Sequence, residues 1–572
     1  MPLGSQFSSL MLLISNLDRS KPTIYKPKIE MVTKPLVFPR DSKITFLPRC
    51  SPSEVGIENN YIESFLNELS LDYSLRINRL LVVHKSGNVI AEKYEHPYTK
   101  DSWDSIYSAT KSIITLALGI LYDEGKIDLD EPIYKILGLK KVGNGNNKLL
   151  TLRHVLTHSS GNTFNEIECV SSMNWVKDFF ASGQKFKIGS KFEYNSLNTY
   201  IVSAVITKVS GKSTYDLLKE KIFEPLGFST THMEFSFENI AKGGWGLYMI
   251  PEDMAKIGLL VLNDGIYGDK QIISKKWLDM MCSKQFESSK YGHRFDYGFQ
   301  IWVDDKKDFA LMNGLYDQNI FIFKKTGIAV ITCSSSPEAF HGANTYDIAL
   351  KYFADIKYDF PLIEKGVVRE LYNIEALKHY YFAIANKKYM PMDKISTSCS
   401  LLPILMQNAL STYAKGIKEI AFNYVDDKYY LYVKEDDKDY NIEFNFNRGV
   451  RQTLEFYKNY FDCVCDARFI MNAKSYPFLA IRLFFIEFAS VRYITVKFDK
   501  TFDVLSIELS EAPNLDFVSS LVEVQDEGTK ALLNNAIKLL NPAIFKSTVR
   551  KIFSPRFRIV EINKLADTKK KK

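Results

Sequence analysis

The stretch YSATKSIITLALGILYDEG, Tyr107 to Gly125, constrains this chain more than any other. From Ile113 onward it reads as a helix of about four turns. Ile113, Ile114, Leu116, Ala117, Ile120 and Leu121 spread all round it, so it must lie inside a domain rather than on a surface. Gly125 supplies its stop. Ser108 and Lys111 stand three apart at its mouth, and residues so spaced share a helix face. Free N–H groups and the positive dipole end at such a terminus favour a developing oxyanion. Two readings follow: a nucleophile with its activator, or a helix cap followed by a solvated lysine. A serine hydroxyl needs a base within hydrogen-bond reach. Lysine serves only if burial brings its pKa from about 10.4 to near 7, roughly 3 units. Ser182 and Lys185, in SGQK, repeat the spacing in a polar, glycine-containing loop and are given no function.

The 572 residues exceed a single core and predict two or three domains. A 25% charged content and a net charge of +7 give no nucleic-acid signature, because part of the charge is the terminal TKKKK, read as a solvated tail. Seven cysteines, at 50, 169, 282, 333, 399, 463 and 465, are odd in number and unpatterned, which predicts free thiols in a reducing compartment. Cys463 and Cys465 form a lone C-x-C without a second ligand pair, and the eight histidines show no metal spacing, so no metal or cofactor is expected. The N-terminal apolar run has no basic flank or cleavage site, and no stretch reaches the roughly 18 apolar residues of a membrane span. A cytoplasmic protein is expected.

Residues 1–50 read as an irregular arm. RINRLLVVHKSGNVIAEKYEH is a hairpin turning at Ser86-Gly87-Asn88. LTLRHVLTHSSGN is a short helix stopped by Gly161, and FEYNSLNTYIVSAVITKVSG is a longer one stopped by its glycine. GLYMIPEDMAKIGLLVLNDG is a helix opened by Pro251, with Glu252 and Asp253 in its first turn. YGFQIWV, FALMNGLYDQNIFIF and GIAVITCSSS read as three consecutive strands. Strands at both ends and helices between predict one sheet with an inserted helical subdomain, over 51–355. Residues 356–420 are a connection with a helix or two. Residues 421–565 carry short, alternating, aromatic-rich strands such as EIAFNYV, YYLYVKE and FDVLSIELS, hence a β-rich domain, and 566–572 are the basic tail.

Three positions share the polar-mouth pattern. Ser108 and Lys111 are the first. Tyr194-Asn195-Ser196, just before an apolar helix, is the second: a Tyr hydroxyl shuttles a proton if a neighbouring ammonium lowers its pKa. Its bland alternatives are an aromatic helix cap for Tyr194 and a plain N-cap for Ser196. The third is Met312-Asn313-Gly314-Leu315 in a predicted strand, where glycine permits close backbone approach and a second oxyanion N–H.

This order, Ser-x-x-Lys, Tyr-x-Ser, then a glycine-bearing strand, resembles the serine β-lactamase and penicillin-binding-protein superfamily, in its class C, esterase-like branch. SATKSIITLALGILYDEGKIDLDEPI, LTLRHVLTHSSG, the block from Tyr194 to Phe228 and GGWGLYMIPEDMAKIGLLVLNDG look like family blocks in family order. The resemblance covers about residues 50 to 355. It implies an α/β (α+β) β-lactamase/transpeptidase-like domain with an antiparallel sheet and helical subdomain, plus the C-terminal β-rich domain. It implies Ser108 as acylated nucleophile, Lys111 as taking part in its deprotonation and holding the proton network, Tyr194 as general base and acid, and Ser196 as a hydrogen-bonding helper. The Ser108 and Leu315 N–H groups would form the oxyanion hole, with Gly314, Met312 and Asn313 on the substrate strand. Met312 departs from the Lys or His of many relatives, and Asp317 stands where a glycine is usual ahead of Gln318. Asp317 binds a polar substrate group or caps a turn. The function expected is cleavage of a small ester, amide or peptide through an acyl-enzyme. D-amino-acid peptidase or β-lactamase activity, or a non-catalytic binding scaffold, are the alternatives.

Overall fold

The computed structural model describes residues 37–564 except 73, 141, 143–144, 170–171, 337–343, 359–362, 364–373, 393–398, 410–415, 436, 447, 472–475 and 514–552. Most of the N-terminal arm and all of the basic tail lie outside the described residues. The chain divides into two compact units, meeting at residues 366 and 367.

In the first unit seven of the described strands form an antiparallel sheet. Its members are β1 (Ile77–His84), β2 (Val89–Tyr94), β3 (Asp296–Tyr297), β4 (Trp302–Asp304), β5 (Phe309–Gly314), β6 (Gln318–Phe323) and β7 (Ile328–Ser334), in the order β2-β1-β7-β6-β5-β4-β3. β1 pairs with β7, so strands from the two ends of the unit share one sheet around the inserted helices. Val82, Leu311, Phe321 and Val330 cover one face together with Phe65 of α1 (Asn59–Leu71).

Two strand expectations need correction. FALMNGLYDQNIFIF is a tight hairpin, β5 and β6, turning at Leu315-Tyr316-Asp317, and Tyr316 and Asp317 adopt φ of 63° and 69°. The turn contains no glycine or Asn-Gly pair, the usual marker of such a bend. YGFQIWV breaks likewise into β3 and β4, with Gln300 at φ 58° between them.

The enclosed helix is α2 (Thr110–Asp123), entered through a 3-10 turn over Tyr107–Ala109, and every residue from Thr110 to Leu121 is buried. α3 (Leu152–Leu156) ends at Thr157, four residues before Gly161, because His158 already leaves the helix at φ 49°. α4 (Glu166–Cys169) is one turn. α5 (Ser196–Ser210) stops at left-handed Gly211, and α6 (Pro251–Leu262) opens with proline at its first position.

The second unit is a ten-stranded antiparallel sheet among the described residues. Its strands are β8 (Lys387–Pro391), β9 (Ile417–Val425), β10 (Lys428–Glu435), β11 (Lys438–Phe444), β12 (Val450–Phe456), β13 (Asn459–Met471), β14 (Pro477–Phe485), β15 (Ser490–Phe498), β16 (Val504–Ala512) and β17 (Arg556–Glu561), in the order β11-β10-β9-β8-β17-β16-β15-β14-β13-β12. The two edges approach through Asn445, whose carbonyl accepts the Ala467 N–H at 3.0 Å, making a near-barrel. β8 pairs with both β9 and β17, so part of the expected connection is sheet.

Buried alternate residues line one face: Leu431, Val433 and Glu435 on β10, Arg492, Ile494 and Val496 on β15, Leu505, Ile507, Leu509 and Glu511 on β16. The charged members grip a single segment. Glu435 accepts the Leu401 N–H at 2.9 Å, Glu511 the Ile404 N–H at 2.8 Å, and Arg492 donates to the Leu402 carbonyl at 2.8 Å.

Candidate active site

Ser108 sits in the 3-10 turn, partly exposed, immediately before α2. Lys111, one turn further on, is 1% exposed. Its Nζ lies 2.9 Å from Ser108 Oγ, 2.9 Å from Ser196 Oγ and 2.7 Å from the Gly244 carbonyl oxygen. Burial brings Lys111 from 10.5 down to about 7, against the opposing pull of the Glu166 carboxylate. A neutral amine has two N–H donors and one lone pair. Gly244 C=O only accepts and Ser196 Oγ also accepts, so the lone pair remains for the Ser108 O–H.

Each partner is set in place by local chemistry. Gly244 has no substitute, because a Cβ there would meet the Ser196 carbonyl oxygen at 2.6 Å. Ser196 is the first residue of α5 rather than its cap. Asn195 caps the helix by accepting the Leu197 N–H at 2.9 Å, which leaves the Ser196 hydroxyl free for Lys111.

Tyr194 is half-buried, and its hydroxyl bonds Ser108. Its ring stacks on His158 at 4.5 Å and on Trp302 at 6.0 Å, and the Lys111 Nζ lies 4.7 Å from its centroid. The ammonium therefore meets the ring face. Burial raises the phenol above its ordinary value, the Ser108 hydrogen bond opposing. This reverses the expected lowering by lysine: near neutral pH Tyr194 is an O–H donor, and Lys111 is the group poised to titrate.

His158 was not singled out from the sequence. It is completely buried, and its Nδ1 accepts from the Asn195 N–H at 3.2 Å and from Asn198 Nδ2 at 3.1 Å. Burial holds it far below 6.5, with Lys111 and His293 adding to the effect. A neutral ring accepting at Nδ1 carries its proton on Nε2. Glu166 is a second unforeseen neighbour: its Oε1 accepts the Ser196 N–H at 2.6 Å. Neither has a local spacing signal, although His158 and Gly244 fall inside the quoted blocks LTHSSG and GGWG.

The β5 strand approaches as expected of its glycine. A Cβ on Gly314 would run into the Ile106 carbonyl oxygen, two residues before Ser108. Tyr107, at φ 45°, packs edge-on against Tyr316 at 5.2 Å, holding the chain around Ser108 beside the chain around Leu315. Met312 is wholly buried opposite Ile320. Asn313 turns to the other face of the strand, donating to Asn319 Oδ1 and Tyr346 Oη, both at 2.8 Å, and so stands apart from Ser108. Asp317 is buried in the turn, where its carboxylate accepts the Thr345 hydroxyl at 2.7 Å at the start of α7 (Thr345–Phe353). Among the described residues no cluster of His, Cys, Asp or Glu has the makings of a metal site.

The family model described as Beta-lactamase matches residues 79–353. The 6-aminohexanoate-dimer hydrolase of Paenarthrobacter ureafaciens is 19% identical over 316 residues, 50% of this chain and 80% of that protein. The teichoic acid D-alanine hydrolase of Staphylococcus aureus is 25% identical over 289 residues, 46% of this chain and 68% of its own. Among solved structures, a putative 6-aminohexanoate-dimer hydrolase from Bacillus anthracis aligns with a TM-score of 0.44 at 18% identity, covering 55% of this chain and 91% of that one. Residues 79–353 of this chain, which span the seven-stranded sheet and its inserted helices, are β-lactamase-like by that family match.

Proposed function

We propose that the first unit is a serine hydrolase that cleaves small esters or amides through an acyl-enzyme on Ser108. The observation that carries this reading is the buried Lys111 Nζ, 2.9 Å from Ser108 Oγ and brought to about 7. In the proposed reaction Ser108 Oγ attacks the acyl carbon while its proton passes to neutral Lys111. The Ser108 and Leu315 N–H groups receive the oxyanion. Collapse breaks the bond to the leaving group, which takes the proton that Lys111 received. Water then adds to the acyl ester, giving up its proton along the same path, and the carboxylic acid departs. The relatives named for hydrolysis of a 6-aminohexanoate dimer and of teichoic acid D-alanine support small acyl compounds as the class. All seven cysteines are free, which supports a reducing, cytoplasmic setting.

Met312 is wholly buried and gives the strand beside Ser108 no cation. A carboxylate bound at that strand without a donor forfeits about 1–3 kcal/mol, roughly 5- to 150-fold in affinity. Of the alternative cations, Arg294 and Lys306, Arg294 is paired with Asp347. Short-chain p-nitrophenyl esters should therefore be turned over well and penicillins or cephalosporins poorly. Comparing kcat/KM for p-nitrophenyl butyrate and nitrocefin tests this, and faster nitrocefin turnover would overturn it. Met312→Lys should shift the ratio toward nitrocefin.

A further inference from the structure

Glu166 takes an N–H at the mouth of α5 that Asn195 leaves open, and that N–H belongs to a residue of the site. α5 is already capped by its own Asn195, yet Glu166, thirty residues upstream in sequence, reaches the Ser196 N–H at 2.6 Å. That N–H belongs to the residue whose Oγ lies 2.9 Å from Lys111 Nζ. One hydrogen-bonded path thus runs from the Glu166 carboxylate through Ser196 to Lys111 and Ser108. Glu166 forms no ion pair among the described residues, so its charge is not spent on another side chain. Its field acts on both titratable groups of the site, favouring protonated Lys111 and disfavouring ionised Tyr194. Lys111 otherwise faces Ser108 from the 3-10 turn, the Tyr194 ring and Ser196 from α5 and its approach, the Gly244 carbonyl, and neutral His158.

We propose that Glu166 is a positioning residue of this hydrolase site, clamping the first N–H of α5 so that Ser196 Oγ is held against Lys111. The proposal rests on Ser108 and Lys111 acting as above. A second consequence follows from charge. Lys111 acts as a base when neutral, so activity rises with pH through its pKa. Removing the Glu166 charge removes what favours the ammonium, so that rise must move to lower pH.

Two variants separate geometry from charge. Glu166→Gln keeps an acceptor for the Ser196 N–H and loses the charge; Glu166→Ala loses both. Glu166→Ala should lower kcat for p-nitrophenyl butyrate about tenfold, with KM within about twofold. In a Ser196→Ala background the same change should cost less than about twofold, because the group it positions is gone. Glu166→Gln should shift the rising limb of Ser108 labelling by a fluorophosphonate to lower pH by about half a unit or more. Equal losses in both backgrounds together with an unmoved limb would overturn the proposal. If Glu166→Ala fails to fold, the limb of Glu166→Gln decides alone. Wild-type protein that is never labelled at Ser108 would overturn the hydrolase reading and this one together. Normal labelling with equal losses and an unmoved limb would overturn this one only.

Discussion

Lys111 and Arg492 are both cations hidden from solvent, one in each unit, and their surroundings are opposite. Lys111 is met by two hydroxyls, a carbonyl and a tyrosine ring, and no carboxylate touches it among the described residues. Arg492 faces Glu511 at 3.1 Å and donates to the Leu402 carbonyl at 2.8 Å. An amine can shed its proton, so burial turns Lys111 into a base near neutrality at a cost of about 5 kcal/mol. A guanidinium cannot, so burial is tolerable only with paired charge, and the result is architecture. The comparison teaches that a buried charge is informative through its partners: neutral partners mark chemistry, and charged partners mark a clamp.

The contrast can be broken from either side, and the largest effect should come from the reacting group itself. Ser108→Ala should lower ester turnover at least about 10³-fold with the melting temperature unchanged, since nucleophile and base act as a unit. Retained turnover by the purified variant would remove Ser108 from the mechanism. Next in size is Arg492→Met, which leaves Glu511 buried without its partner. It should destabilise the second unit by about 3–5 kcal/mol, read as a lower denaturation midpoint. Substitution of Lys111 by Met should do the reverse. It abolishes activity yet stabilises the first unit by ~1–3 kcal/mol, because the site no longer hides an amine that prefers water. The sign has a pH signature. Lys111 is depressed when folded, so the unfolded chain binds more protons between about 7 and 10.5, and wild-type stability gains with rising pH across that window. The Lys111→Met gain should accordingly be largest near pH 7 and shrink toward pH 10. Equal gains at both values would mean Lys111 is not the titrating group. The smallest effect is expected of Ser196→Ala, a loss of about tenfold in kcat, because one hydrogen bond that orients the amine is removed.

How much of this was legible follows from how local each signal is. Ser108 and Lys111 share one helix turn, so their spacing announces them. Tyr194 and Ser196 are announced by polar residues ahead of an apolar helix, and Pro251 marks the start of α6 by itself. The hairpin at Leu315–Asp317 was hidden because its turn is built from Leu, Tyr and Asp, the last two in left-handed conformations and Asp317 bonded to Thr345. β13 was missed because Asp462, Asp466 and Arg468 interrupt its alternation; in the folded sheet Arg451 and Arg482 pair with the two aspartates. Glu166 carries no local mark at all, because its partner in the site among the described residues is a main-chain N–H thirty residues away. The reversed shift of Tyr194 was equally out of reach, since it depends on whether lysine meets the hydroxyl or the ring face.

The central claim is that neutral Lys111 activates Ser108, and pH-resolved covalent trapping tests it most directly. Wild-type protein exposed to a fluorophosphonate is quenched at intervals from pH 5 to 9, digested, and read by mass spectrometry. A single adduct should appear on the peptide carrying Ser108, its rate climbing with pH through about 7. Lys111→Arg, whose cation keeps its proton throughout, should show only a slow rate without that climb. An adduct on another residue, or a Ser108 rate that is flat in wild type across the same range, would contradict the account.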